Sequence, residues 1–165
     1  MSRFASALSQ HPIPAHAVGE AAGEIVEALD GEDADLVVCF ASPHFVGAME
    51  DISFALRKVL EPRVLLGMTA VAVIGGPREV EDAPALSLFA ACVPDATFTT
   101  AGLTIVRTHD GNAIAGWPSL DHDPSTMLLL ADPFTFPIDA LLPRLNEDRP
   151  GLEVVGGAAS AARGP

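Results

Sequence analysis

The chain has 165 residues, with 22 acidic against 9 basic side chains, 14 glycines, 14 prolines and two cysteines. A formal net charge of −13 without any Lys/Arg cluster excludes nucleic-acid binding, which draws its affinity from grouped cations displacing counterions. Apolar residues make up 49% and charged ones 19%, enough burial to oppose the entropy of folding, so a soluble globular protein is expected rather than a disordered one.

The N-terminus carries one Arg, then a mixed stretch with two early prolines, which is not a secretory signal. His11 and His16 flank prolines there without a pattern. Over residues 15–29, Val18, Ala21, Ala22, Ile25, Val26 and Leu29 recur at helical spacing, and Asp30-Gly31 supplies the left-handed close of an amphipathic helix. Residues 35–41 form a continuously apolar run that reads as a strand covered on both faces, stopped at Ser42-Pro43 because proline has no amide to donate. Met49, Ile52, Leu56, Val59 and Leu60 predict a second helix ending before Pro62, and residues 63–70 a strand. Strand, helix and strand within about 35 residues predict a parallel crossover.

Residues 71–74 extend that strand or begin another, and Gly75-Gly76-Pro77 breaks it. The acidic stretch 78–82 reads as a connection. Residues 85–93 and 96–107 read as strands paired antiparallel across Pro94-Asp95, and 108–125 as a polar, mobile, turn-rich loop. An apolar strand over 127–131 ends at Asp132-Pro133. A helix through Ile138, Leu141, Leu142 and Leu145 follows, and then a strand over 152–155 running into Gly156-Gly157.

The segments from Leu36 and from Met127 repeat one order: strand, Ala-x-Pro, phenylalanine, helix, proline, strand, glycine. Pro43 to Gly67 spans 24 residues and Pro133 to Gly156 spans 23, which predicts two duplicated strand–helix–strand units in a mixed β-sheet with helices packed on it. A layered α/β/β/α sandwich is the alternative, with the strands of 85–107 as a second sheet. If the units share one sheet, Ser42, His44, Phe45, Thr69, Asp132, Phe134, Gly156, Gly157 and Ser160 gather past the carboxyl ends of strands, where open α/β sheets hold their ligands. Gly156, Gly157 and the amides after them would form an anion-binding concavity, and the central expectation is that Pro43 and Pro133 share one rim around a hollow.

Three motifs carry a family resemblance: LVVCFASPHF (36–45), LLGMTAVAVIGGPREVE (65–81) and LLLADPFTFPIDALLPRLNEDRPGLEVVGG (128–157) with AAS after it. In that order they resemble the FIST N-terminal domain of bacterial sensory and signal-transduction proteins. The resemblance implies a cytoplasmic input domain that binds a small ligand, an amino acid or a relative of one. It also implies further strands and a FIST C-terminal domain, so residues 1–165 are expected to be a C-terminally truncated FIST N-like domain stopping at Arg163-Gly164-Pro165. The family brings no catalytic residues to carry over.

The residues agree with a non-enzymatic reading. Nucleophilic catalysis needs Ser or Cys beside an oriented base, and neither Ser42 nor Ser160 sits in a Gly-x-Ser-x-Gly elbow. Asp121-His122-Asp123 and His109-Asp110 lack zinc or EF-hand spacing, and no phosphate-binding glycine loop is present, so no metal and no cofactor are expected. Trp117, Phe134 and Phe136 serve as pocket walls or as core. Cys39 and Cys92 sit in apolar runs and read as buried free thiols of a reducing cytoplasm. The chain is therefore expected to be a small-ligand-binding sensory domain in the cytoplasm. The alternatives are a protein-interaction module, oligomeric or in a larger assembly, and a serine-type hydrolase.

Overall fold

The computed structural model describes residues 1–109 and 111–162. Asp110 of the His109-Asp110 pair and the Arg163-Gly164-Pro165 terminus lie outside the described residues. The chain divides into two units, Met1–Ala96 and Thr97–Pro165.

The first unit runs β1 (Arg3–Ser9), α1 (Pro14–Ala28), β2 (Leu36–Ala41), a 3-10 helix (Pro43–Ala48), α2 (Met49–Leu60), β3 (Val64–Thr69), β4 (Ala72–Gly75), β5 (Arg78–Glu81) and β6 (Leu86–Cys92). Its mixed sheet has the order β1-β6-β2-β3, with β2 and β3 parallel and the other pairs antiparallel. Strand alternation divides the side chains between two faces. Ala5 and Ala7 of β1, Leu86, Leu88 and Ala90 of β6, and Val37, Cys39 and Ala41 of β2 meet Ala17, Ala21 and Ile25 of α1 and Ile52 and Leu56 of α2. On the opposite face, Leu8 and Phe40 pack with Val73 and Val80, which stand opposite each other in the β4–β5 hairpin. Helices thus cover one face, and a two-stranded hairpin covers part of the other.

Both α1 and α2 end as their chemistry requires. The amides of Asp30 and Gly31 donate to the Glu27 and Val26 carbonyls, 3.1 and 3.0 Å away, and both residues are left-handed. The left-handed position directly after the helix is Asp30, and Gly31 is next to it. Glu61, with φ 43°, closes α2 immediately before Pro62.

Residues 3–9 form a strand that the sequence pattern does not mark, since the alternating Ala5 and Ala7 give only a faint apolar signal. Two expectations are corrected in this unit. Residues 78–82 are not a simple connection, because the two-residue Gly76-Pro77 turn folds Arg78–Glu81 back onto β4. Strand 86–92 does not pair with a strand over 96–107. It lies between β1 and β2 in the main sheet, and the second layer comes from β4 and β5.

The second unit contains β7 (Thr104–Thr108), β8 (Gly111–Ala115), β9 (Thr126–Ala131), α3 (Ile138–Asp148) and β10 (Glu153–Ala158). β7 occupies the end of the run over 96–107 that reads as a strand, and β8, inside what reads in sequence as loop, pairs antiparallel with it. β9 and β10 pair in parallel as a two-stranded sheet. Leu141 and Leu145 of α3 and Ala131 of β9 are its buried apolar residues.

The two strand–helix–strand segments match in register. Ala41 pairs with Thr69 and Ala131 with Ala158, and the next amide returns to the alanine in each case: Ala70 N–H to Ala41 O at 2.9 Å, and Ala159 N–H to Ala131 O at 2.8 Å. Gly67 stands opposite Cys39 and Gly156 opposite Leu129, two residues before that alanine in both units. A Cβ on Gly67 would lie 2.7 Å from the Cys39 carbonyl oxygen. One on Gly156, whose φ is 141°, would fall on the Leu129 carbonyl. The glycines let neighbouring backbones approach where any side chain would part them.

At the amino edge of the main sheet, Asp35 accepts the Val93 amide at 2.6 Å and the Arg63 guanidinium at 3.0 Å, tying the starts of β2 and β3 to the end of β6. These bonds, the amide first, hold its carboxyl below the ordinary 3.8 despite some desolvation. A carboxylate whose folded pKa is depressed stabilises above its unfolded pKa and loses that contribution as pH falls through the folded value. The melting temperature should therefore drop as pH falls below about 4, and Asp35→Asn should flatten that limb; an unchanged acid limb contradicts the assignment. Gly67→Ala and Gly156→Ala should each cost about 1–3 kcal/mol in denaturant melts, as overpacking does. Gly23→Ala, in the interior of α1 with nothing within 4 Å of the added Cβ, should instead stabilise by about 0.5–1 kcal/mol.

Candidate functional site

In the first unit, β1 and β2 run in the same direction because each is antiparallel to β6 between them; Ser9 and Ala41 both stand opposite Leu86. Two strand spacings separate them, about 10 Å. The carboxyl ends of β1, β2 and β3 thus form one rim, the edge on which open α/β sheets hold ligands.

Ser42 anchors this rim. It is 1% exposed, its Oγ accepts the Ala85 amide at 3.0 Å, and its own amide donates to the Ala85 carbonyl at 2.9 Å. Its carbonyl accepts the Phe45 amide at 3.0 Å, starting the 3-10 helix. Phe45 is 1% exposed and belongs to the core under α1 and α2. The exposed positions are His44, on the first turn of that helix, and the half-buried Thr69, the last residue of β3.

The rim also carries residues without a sequence pattern. Ser9 Oγ donates to Glu20 at 2.5 Å and accepts the His11 amide at 3.1 Å. His11 Nδ1 accepts the Ile13 amide at 3.1 Å, and its ring stacks on His16 with centroids 4.6 Å apart. Only the placement of β1 brings this pair to the edge; the one sequence hint is Ser-x-His-Pro directly before a helix.

In the second unit the matching rim begins at Asp132, whose Oδ1 accepts the Phe134 amide at 2.9 Å and whose carbonyl accepts the Phe136 amide at 3.0 Å. This Asx turn turns Phe134 outward, 58% exposed, while Phe136 is half-buried. Trp117, earlier in this unit between β8 and β9, is 44% exposed. Gly156 and Gly157 lie inside β10, opposite Leu129 and Leu130, and not past the strand end. The glycine pair thus serves strand pairing, and the segment beyond the strand is Ala159-Ser160. Asp123 of the polar 121–123 cluster accepts from Arg149 at 3.3 Å.

Burial pushes the Cys39 thiol up to about 12. Cys92, half-buried where the sequence pattern predicts full burial, donates to Glu32 at 3.4 Å and is also raised, chiefly by that bond. Neither is an activated nucleophile at neutral pH.

A family model described as the FIST N domain matches residues 35–165. The chain belongs to the FIST N domain family. FIST domains are sensory domains of signal transduction. Uncharacterized protein Rv0628c of Mycobacterium tuberculosis (strain ATCC 25618 / H37Rv) is 35% identical over 163 residues, 98% of this chain and 42% of the relative. Uncharacterized protein Mb0898c of Mycobacterium bovis is 36% identical over 152 residues, 92% of this chain and 39% of the relative. The FIST chain thus spans about two-fifths of the length of these curated relatives, and both similarities reach beyond the family match into the β1–α1 segment. No solved structure matches.

The two thiols of this FIST domain give a direct check of the electrostatics. In native protein at neutral pH, a thiol-disulfide reagent should modify Cys92 first and Cys39 only as the fold opens, and Glu32→Gln should speed the Cys92 reaction. Immediate modification of both thiols would contradict the packing around Cys39.

Proposed function

We propose that this FIST N domain is a cytoplasmic input module that binds a small metabolite, an amino acid or a relative of one, and does not transform it. The observation that carries the reading is the twin strand-end geometry. In each unit the chain leaves the first strand through Ala-x-Pro, the second strand returns its next amide to that alanine, and an exposed side chain, His44 or Phe134, stands on the loop between. Within the first unit His44 and Thr69 are the groups proposed to touch ligand, with Ser42 and Phe45 as their rigid support; within the second unit they are Asp132, Phe134 and Ser160, with Gly156 and Gly157 bringing β10 against β9. Absence of turnover is supported by Ser42, whose buried oxygen is engaged by the Ala85 amide. Among the described residues no helix is long and apolar enough to cross a membrane.

A second reading, a module that docks a FIST C-terminal domain, draws on the sheet face away from the helices. There Phe4 is 62% exposed and stacks on Phe89 with centroids 6.2 Å apart, next to the β4–β5 hairpin. Light scattering of the chain mixed with a separately expressed C-terminal domain tests this reading through a 1:1 complex that Phe4→Ser abolishes.

A thermal-shift screen of amino acids and small carboxylates at millimolar concentration tests the first reading, because a ligand that binds only the native state stabilises by mass action, by about 2.7 kcal/mol at 100 times its Kd. At least one compound should raise the melting temperature. His44→Ala or Phe134→Ala should reduce that rise without lowering the unliganded melting point. No hit against a folded full-length protein, or release of a chemically altered hit, would overturn the reading.

A further inference from the structure

Outside the two rims, the first unit has an open-sided cavity of about 110 Å³ between α2 and β3. Its walls are Ile52 and Leu56 of α2 and Leu65 of β3, its floor is Cys39 and Gly67, and Arg57 is among the residues lining it. β3 is the outer strand of its sheet. The Val64 and Ala70 amides donate to the carbonyls of Asp35, directly before β2, and of Ala41, its last residue. Peptide groups alternate in direction along a strand, so the N–H of Gly67, an odd number of residues from either, faces away from β2 at the free edge.

The polar chemistry of this slot is one-sided. Ser53, which also lines it, spends its proton on the Glu50 carbonyl at 2.8 Å. The Cys39 thiol is a weak donor. Arg57 is the one strong side-chain donor in the lining, and it has no ion-pair partner among the described residues of a chain that carries net charge −13. A guanidinium presents a planar fork that matches a carboxylate. By proportion to the roughly 150 Å³ apolar cavity that takes up benzene, the slot holds about four carbons.

We propose that the α2–β3 slot is a binding site for a short-chain aliphatic carboxylate, its hydrocarbon tail against Ile52, Leu56 and Gly67 and its carboxylate on Arg57. The site goes beyond the rims and uses none of their residues.

The test is a titration of the folded chain with straight-chain carboxylates from acetate to octanoate, and with the primary amides of the same acids, read by calorimetry and by amide NMR. Affinity should peak near pentanoate, which carries four carbons beyond its carboxylate. The amides should bind at least about tenfold more weakly, and Arg57→Gln, an exposed substitution, should weaken pentanoate by about the same factor, as loss of a charge-assisted bond does. Ser53→Leu, which fills the slot from the helix side, should abolish binding, and pentanoate should move the Gly67 amide resonance. Affinity without a chain-length maximum, equal binding of acid and amide, indifference to Arg57→Gln, or a dimer that buries Gly67 would overturn the proposal. Pentanoate binding that survives Arg57→Gln removes the slot and leaves the sensing reading intact. Pentanoate binding lost with Arg57→Gln but kept with His44→Ala supports the slot whatever the rim screen finds.

Discussion

The close backbone approach at one glycine in each strand–helix–strand unit constrains everything else. A parallel pair joined by a helix can slip in register, and a slip of one residue turns every side chain to the other face. With Gly67 opposite Cys39 and Gly156 opposite Leu129, a side-chain-bearing residue at either position would meet a carbonyl. This register puts Cys39 and Ala41 on the helix-covered face. It also ends β2 and β3 together, at the level where Ser42 is held to Ala85. The rim is a consequence of that register, and its side chains are placed by backbone bonds instead of by one another.

The elements with strong periodicity were legible from residue types. α1, α2 and α3 follow their apolar stripes, and β2, β3, β9 and β10 their continuous apolar runs, because each of these patterns is local in sequence. The alanines and glycines that recur in the two segments fall at corresponding register positions of β2–β3 and β9–β10. β1 escaped notice because its core-facing residues are Ala5 and Ala7, small enough to let Ala17 and Ala21 of α1 pack close, and alanine alternation carries little hydrophobic contrast. β5 escaped because only Val80 of Arg78–Glu81 turns inward. The β6 pairing misled for a different reason: its partners β1 and β2 are remote in sequence, and local turn chemistry says nothing about remote strands.

The site was legible in outline and less so in roles. Ser42 and Phe45, read from sequence as ligand-facing, stand at the sheet edge but are engaged within the fold: the hydroxyl oxygen accepts a cross-strand amide and the phenyl ring fills the core. Side-chain type cannot reveal this, because a serine beside a proline serves a turn, a ligand or a strand staple equally well. The His11–His16 stack was invisible because it depends on β1. The α2–β3 slot depends on an absence, the missing side chain of Gly67, and on Arg57 standing without a carboxylate partner among the described residues.

The account rests on the strand-end rim as the place where a FIST input domain meets its ligand. A crystal structure of the full-length protein grown with a compound that raises its melting temperature tests this most directly. Electron density for the unaltered compound at the carboxyl ends of β2 and β3, in contact with His44 or Thr69, is the predicted result. Ligand density confined to the opposite edge, beside Asp35 and Arg63, or a chemically transformed ligand at the rim, would contradict it.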